Sequence, residues 1–338
     1  MAGGQDSPDT ALAPFLLEPL FLDKIWGYAD LRPWYDNVAE GESNGSKGAN
    51  PIGEVWLTGD ACKVASGPHA GKALAQVFRD APLAMLGAAA PSFESPILIK
   101  VLFAREKLSV QVHPDDRMAQ KYGEPRGKTE CWYALAADPG AEVAVGLKPG
   151  VTLEDVRAGM EQGTLEQILG VLPMAKGEMV FVDAGTVHAI WPGSILLETQ
   201  QNCDITYRMY DYGRARALHI EKAAEATKLK TRSGIIPPRV LADRTILIDV
   251  EYFCVERIPV KGTRSSATLP GPGEPPGGLS YLFAAAGTAR LAGEGFDPVE
   301  LPARCVAAIP AASPAFTIED LGELDLIRVS PRWLEQPA

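Results

Sequence analysis

Along most of this chain apolar and polar residues alternate in short runs, and the few helical patterns are brief. GKALAQVFRDAPLAMLG carries apolar residues at helical spacing and predicts an amphipathic helix. SPILIKVLFAREKLSVQVHP predicts two strands separated by a polar turn, and DDRMAQKYG, after Pro114, a short helix with acids in its first turn. TECWYALA, EVAVGL, EMVFVD, HAIWP, SILLETQ and DITYRMY then follow as strands, rich in β-branched and aromatic residues and parted by Gly, Pro or Asp. That rhythm predicts a barrel or sandwich. TLEDVRAGMEQGTLEQILGVL interrupts it as a helical insertion opening on a Thr152-x-x-Asp155 capping pattern, and LHIEKAAEATKLK predicts a helix closing a first domain. The strand pattern resumes near Thr245, broken by the Gly/Pro-rich LPGPGEPPGG. We therefore expect a mainly β protein with a first domain over 1–244, carrying an N-terminal segment and helical insertions, and a β-domain over 245–338.

An internal echo accompanies that division. Gly177, Asp183, Gly185 and His188 follow the spacing G-x5-P-x-G-x2-H of the second cupin-barrel motif, with Asp183 in place of proline. The same frame returns as Arg304, Pro310, Ala312 and Ala315, without the glycines and the histidine. A second barrel built on this frame has no ligand where the first has His188, and a structural role is expected of it.

Composition removes several function classes. With 338 residues, 46% of them apolar, the chain can bury a sizeable core. Thirty-two basic against 43 acidic residues give a formal charge of −11, so the chain as a whole repels a polyanion, and nucleic acid is not an expected partner. The five cysteines form no CxxC pair and fit a reduced, cytoplasmic setting. The opening MAGGQDSPDTALAPF lacks a basic start followed by an apolar stretch, and Lys100 interrupts the strongest apolar run, so neither secretion nor membrane spanning is expected. Oligomeric state stays open, a homo-oligomer included.

The candidate chemistry lies on the predicted strands. Gln111 and His113 in QVHPDD are two residues apart and share a strand face, as do Lys128 and Glu130 in GKTECWY; His188 follows EMVFVD on the turn DAGTVH. Two imidazoles, a carboxylate and an amide oxygen suit a divalent ion such as zinc. Taken singly, each has a plainer explanation: hydrogen-bonded barrel histidines and a surface acid. Yet only four histidines exist and two fall in these contexts, His69 and His219 reading as solvated. Leu196, Glu198 and Gln200 alternate onto one face, as do Thr206, Arg208 and Tyr210. A charge on a central strand is costly without a partner. Glu198 and Arg208 therefore either pair with each other or line the lumen beside the metal.

The stretches IGEVW, LSVQVHPDD, GKTECWY, AGTVHAI, LLETQQNCDITYRMYDYGR and LHIEKA resemble, in order from Leu17 to Ala224, the short bacterial type I mannose-6-phosphate isomerases. The resemblance implies two cupin-like β-barrel or jelly-roll domains, one zinc ion in the first, and ligands at Gln111, His113, Glu130 and His188. It places the family's active-site arginine on Arg208, and Lys128 and Glu198 on its substrate pocket. Departures are Tyr28, where a second glycine is common, and the loop YDNVAEGESNGSKGANPIGE.

The activity so implied interconverts mannose 6-phosphate and fructose 6-phosphate through an enediolate, whose negative charge a divalent ion, Lys128 and Arg208 would stabilise. Glu198 is the first choice of base, because apolar neighbours raise a carboxylate's pKa; Lys128 or a water activated by the metal are the alternatives. Rival classes are another metal cupin, such as an oxygenase, and a non-catalytic sugar-binding cupin.

Overall fold

The computed structural model describes residues 12–35, 51–88, 90, 94–271, 274 and 277–332; most of the loop from Tyr35 to Glu54, most of the opening segment and part of LPGPGEPPGG lie outside them. The chain gathers into two units: one is Phe21–Trp56 with Ile97–Pro238, the other Met1–Leu20 and Leu57–Pro96 with Arg239–Ala338. The second unit begins close to the expected boundary at Thr245 but also recruits two N-terminal stretches. Strand pairing is the cause. Phe15–Leu17 pairs antiparallel with Val306–Ile309, and Leu17 bridges Val64, so these segments complete the C-terminal sheet rather than the first domain.

The first of these units holds a seven-stranded sheet in the order Gly234–Ile236, Met179–Val182, Glu130–Ala137, Ser194–Gln201, Ile97–Ala104, Ile52–Trp56, Leu20–Tyr28. A five-stranded sheet accompanies it, in the order Tyr207–Tyr210, Val110–Val112, His188–Ile190, Glu142–Leu147, Leu169–Pro173. The molecule is mainly β, as the alternating pattern predicts. Ile97–Ala104 is buried at every position, which explains a run too apolar for a half-exposed strand. One apolar core surrounds Trp132, Val180 and Leu196; another packs Val110, Val187 and Met209 against Val156 and Met160 of the helix Leu153–Gln162. That helix has the full capping box, Thr152 accepting from the Asp155 backbone and Asp155 from that of Thr152.

Three helical expectations shorten, the insertion from Thr152 to Leu172 giving way at its end to the strand Leu169–Pro173. The pattern from Gly71 to Gly87 forms two helices, Leu74–Asp80 and Pro82–Leu86, with Ala81 between them at φ −140° and ψ 58°. Pro82 forces the break, since it lacks an N–H and drives its predecessor out of the α region. LHIEKAAEATKLK is helical only over Ile220–Ala226, beyond which Thr227 is extended.

The internal echo extends to whole sheets. The second unit has its own seven-stranded sheet, Phe15–Leu17, Val306–Ile309, Ser280–Ala286, Asp325–Pro331, Phe253–Ile258, Thr245–Asp249, Arg239–Val240, and a four-stranded one. Gly177 and Arg304 both take a positive φ, 87° and 65°, two residues before Met179–Val182 and Val306–Ile309. Carried through the strand registers, the position of Glu130 is held by Ser280, that of Lys100 by Glu256 and that of Glu198 by Arg328. Glu54 lies two residues before the Trp56 that pairs with Lys100; Arg244 lies two before the Ile246 that pairs with Glu256. The buried triad Glu54, Lys100, Glu198 of one unit thus recurs with inverted charge as Arg244, Glu256, Arg328. Arg244 Nη1 donates to Glu256 Oε2 at 3.0 Å, and Arg328 Nη1 donates to Glu256 Oε1. Ser280 and Ala315 at the counterpart positions are not the carboxylate and imidazole of the first unit.

Glu256 is fully buried between two arginines. Glu256→Leu is expected to lower unfolding stability by ~3–5 kcal/mol, the cost of leaving buried charges unpaired. Urea unfolding measures it; a midpoint as little changed as that of Arg290→Ala, whose ion pairs are exposed, would show that the triad does not hold these strands.

Candidate metal centre and active-site cavity

Two rows of side chains from the first unit's sheets meet in one cavity of about 270 Å³. On the smaller sheet, Gln111 stands opposite both His188 and Arg208 on neighbouring strands. On the larger, Glu198 stands between Lys100 and Trp132, and Gln200 beside it pairs with Glu130. Lys128 lies two residues before Glu130, which opens its strand, and has its backbone N–H held by the Pro114 carbonyl, while the Gly185 N–H holds the carbonyl of His113. Register and these two clamps bring residues as distant as 111 and 208 together.

His113, Glu130 and His188 offer donor atoms lying within 4.8 Å of one another, all buried. Each imidazole turns Nδ1 to a backbone carbonyl, His113 to Ile205 at 2.8 Å and His188 to Thr186 at 2.9 Å. A ring that donates from Nδ1 keeps its lone pair on Nε2, and both Nε2 atoms point at the same place. Burial drives the His113 pKa well below its ordinary value, helped by the neighbouring Lys128, and pushes that of His188 down to about 4. Both rings are neutral, the form that binds metal. Glu130 Oε2 lies 3.5 Å from His113 Nε2 and Oε1 lies 3.4 Å from His188 Nε2. Tetrahedral ligands about 2.0–2.2 Å from a zinc-like ion stand roughly 3.3–3.6 Å apart, so this spacing fits a small divalent ion. Glu130 Oε2 is also buried without a hydrogen bond, despite an ion-pair contact of 2.9 Å with Lys128. Gln111 is placed differently from a ready ligand: its Nε2 faces His188 Nε2 at 3.2 Å, and its oxygen accepts from Ser109. A half-turn of the amide presents Oε1 instead.

Around this centre lie buried charges. Lys128 reaches His113 Nε2 at 3.1 Å, Glu130 at 2.9 Å and Glu198 at 3.6 Å. Lys100 lies between Glu198 at 3.5 Å, Glu54 at 3.6 Å and Asp204 at 3.6 Å. Burial raises the Glu198 pKa to about 7; Lys100 opposes the rise and Glu130 reinforces it. Glu54 is instead held down at about 2, Lys100 and Lys24 outweighing its burial. Two carboxylates on adjacent positions of one cavity thus differ in proton affinity.

Arg208 lines the same cavity but does not pair with Glu198, whose ion pairs among the described residues are with Lys100 and Lys128. Its Nη1 donates to the Ala217 carbonyl at 2.9 Å, and its Nε is buried with no hydrogen-bond partner. Thr206 shares the cavity, whereas a register shift between Arg208 and Tyr210 turns Tyr210 into the core beside Tyr212. His219, expected to be solvated, accepts the Arg208 backbone N–H on Nδ1 at 3.0 Å; His69 is likewise only half exposed. Tyr28 stacks against Arg105 at 5.6 Å and does not line the cavity. Sequence reasoning missed Lys24, Glu54, Lys100, Asp204 and Arg216, all lining residues. Lys100 carried a signal, since a lysine inside an eight-residue apolar strand must find buried carboxylates.

The family model for the phosphomannose isomerase type I catalytic domain matches residues 15–152. A protein of Bacillus subtilis (strain 168) named "Probable mannose-6-phosphate isomerase GmuF" is 32% identical over 90% of this chain and 96% of its own length. The "Mannose-6-phosphate isomerase" of Streptococcus mutans serotype c is 33% identical over 73% of this chain and 81% of its own. Among solved structures, the mannose 6-phosphate isomerase from Bacillus subtilis superposes with a TM-score of 0.79 at 29% identity, covering 94% of this chain and 99% of the other.

The donor geometry leads to a measurable expectation. His113→Ala and His188→Ala should each abolish stoichiometric divalent metal in the purified protein, measured by plasma mass spectrometry, whereas Glu198→Gln should keep it. Retention of full metal by both histidine variants would remove the centre from these residues.

Proposed function

Because this chain belongs to the type I phosphomannose isomerases, we propose that the cavity interconverts mannose 6-phosphate and fructose 6-phosphate, with one zinc ion held by His113, Glu130, His188 and a turned Gln111. The observation that carries this reading is the sharing of one cavity by a buried His-Glu-His donor set, a carboxylate of raised pKa and five cationic side chains. When bound, the ion would supply Lewis-acid stabilisation of negative charge developing on the sugar.

The residues of the chain supply the rest. Isomerisation moves a proton between C2 and C1 and leaves negative charge on two neighbouring oxygens. Glu198 takes and returns that proton: its pKa near 7 leaves it about half ionised at neutral pH yet basic enough to accept a carbon-bound proton in the transition state. Lys100 and Lys128 flank Glu198 and fix its orientation, and Lys128, with Glu130 on its other side, is a point charge directed at the reacting oxygens. Arg208 offers its unpartnered Nε, together with Nη2, as a planar fork for the developing charge. Strand register and the His219 ring keep its backbone in place, so the fork needs no reorganisation during the reaction. An oxygenase of the two-histidine, one-carboxylate kind has no use for this combination of Glu198, Lys128 and Arg208. A non-catalytic sugar binder has none for a base of raised pKa beside the donor set.

A coupled assay for fructose 6-phosphate formed from mannose 6-phosphate tests the reading directly, with activity expected to vanish on chelation and return with zinc. Arg208→Lys keeps the charge but loses the fork; turnover should fall ~10²-fold or more while metal content is unchanged. Near-normal turnover in that variant would end the catalytic assignment of Arg208. The pH profile gives a further check. The base must be deprotonated, so kcat/KM should rise with pH through an acidic limb at or below about 7, a bound cation lowering the Glu198 pKa further. If Glu198→Gln left both turnover and that limb intact, the base would be elsewhere.

A further inference from the structure

The motif that carries His188 departs from the cupin spacing at Asp183, which stands in place of proline. Asp183 opens a four-residue turn, closed by the Thr186 N–H on the Asp183 carbonyl at 3.0 Å. This turn touches all three segments of the donor set. The Gly185 N–H binds the His113 carbonyl at 2.8 Å, the Ala184 N–H faces Thr129 Oγ1, beside Glu130, at 3.4 Å, and the Thr186 carbonyl receives the His188 ring at 2.9 Å. How the turn is held therefore decides how the three donors stand.

Residues 227–236 run over the turn as a strap. They follow the helix Ile220–Ala226 and end in the edge strand Gly234–Ile236, which pairs with Met179–Val182 just before the turn. The Lys228 N–H donates to the Gly185 carbonyl at 2.9 Å, and the approach is so close that a Cβ on Gly185 would lie 2.6 Å from the Lys228 side chain. Arg232 Nε donates to the Asp183 carboxylate at 3.1 Å, but its side chain is 60% exposed, so that pair contributes little. Ser233 is placed to do more. Its Oγ accepts the Asp183 backbone N–H at 2.8 Å and shares a hydrogen bond of 2.7 Å with Thr186 Oγ1, so one hydroxyl ties both ends of the turn. A proline at 183 would have no N–H to give. The second unit keeps the proline: its counterpart turn, 310–313, opens on Pro310, is closed by the Ser313 N–H at 3.1 Å and leads to Ala315 instead of a histidine. The latch thus occurs in the unit that has the donor set and cannot form at Pro310 in the unit that lacks it. We propose that Ser233 is a positioning residue of the metal centre: through the turn it latches, it fixes the His188 ring and the His113 carbonyl and so sets how tightly the divalent ion is retained. This inference rests on the metal centre of the proposed reading, not on the reaction.

The test uses the full chain loaded with zinc or cobalt(II) and the variants Ser233→Ala, Ser233→Thr and Thr186→Val. Zinc release into a chromogenic chelator should be about 10-fold faster in Ser233→Ala, the lower end of what removing a group that orients a ligand costs. The visible absorption of the cobalt-loaded variant, which reports ligand geometry, should differ from wild type. Ser233→Thr keeps the hydroxyl and should recover most of the retention. Thr186→Val removes the same hydrogen bond from its other end, so the double variant should release zinc no faster than Ser233→Ala alone. The metal-free Ser233→Ala protein should unfold at a urea midpoint near that of wild type. Unchanged zinc release would overturn the inference, and so would faster release with an unaltered cobalt spectrum and a lowered metal-free midpoint, the pattern of a merely structural hydroxyl. If Ser233→Ala fails to fold, Thr186→Val carries the same expectations. Wild type that binds zinc with release indifferent to these changes defeats this inference alone; wild type that takes up no divalent ion defeats the metal centre with it.

Discussion

The cavity depends on one costly arrangement, a lysine buried in the middle of a central strand. Lys100 is only 2% exposed on Ile97–Ala104 and has apolar neighbours on both sides in sequence. An ammonium ion there survives only if carboxylates surround it, and the fold supplies Glu54 and Glu198 from the two adjacent strands. These two acids cannot then be placed freely: Glu198 is carried into the cavity and its pKa is raised by burial, while Glu54 sits low between Lys24 and Lys100. The carboxylate of raised pKa and the cations flanking it follow from how this one charge is compensated.

The second unit solves the same problem with the signs reversed. Glu256 occupies the place of Lys100, and Arg244 and Arg328 the places of Glu54 and Glu198. Arginine makes the difference. Each of the two arginines directs an N–H to a separate oxygen of Glu256, and Arg328 reaches on to Glu274, so the charges satisfy one another inside the protein. In the first unit the ion pairs around Lys100 are all between 3.5 and 3.6 Å, looser than hydrogen bonds, and they leave capacity for a ligand. One strand framework therefore supports a network of hydrogen-bonded ion pairs in one unit and a looser one in the other.

Much of the site was legible because its residues sit where a simple pattern makes them anomalous. His113, Glu130, His188 and Glu198 are polar groups in strand segments that otherwise alternate toward an apolar core, and a period of two sorts them onto faces. What period two does not reveal is which distant strands become neighbours. That Asp211 clamps Arg216, or that His219 secures the backbone of Arg208, depends on a turn and a helix start whose geometry follows tertiary packing. The bulge after Arg208 also defeats a strict alternation, sending Tyr210 into the core. The recruitment of Phe15–Leu17 by the C-terminal sheet was illegible for the same reason: nothing local in FLL names Val306–Ile309 as its partner. The helix break at Ala81, by contrast, was written in Pro82.

Charge accounting joins the metal and the sugar phosphate in the proposed reading. The cavity is lined by Lys24, Lys100, Lys128, Arg208 and Arg216 against Glu54, Glu130, Glu198 and Asp204, a single positive charge in excess when all are ionised. A divalent ion alone raises that excess, in a space where burial weakens solvent screening. A phosphate dianion returns it to the starting value. Each ligand therefore makes the other's binding more favourable, and the linkage is reciprocal. In that reading the cavity is completed by both together. A neutral sugar fills the same space but leaves the excess charge uncompensated, which is the electrostatic reason for a phosphorylated substrate to be preferred.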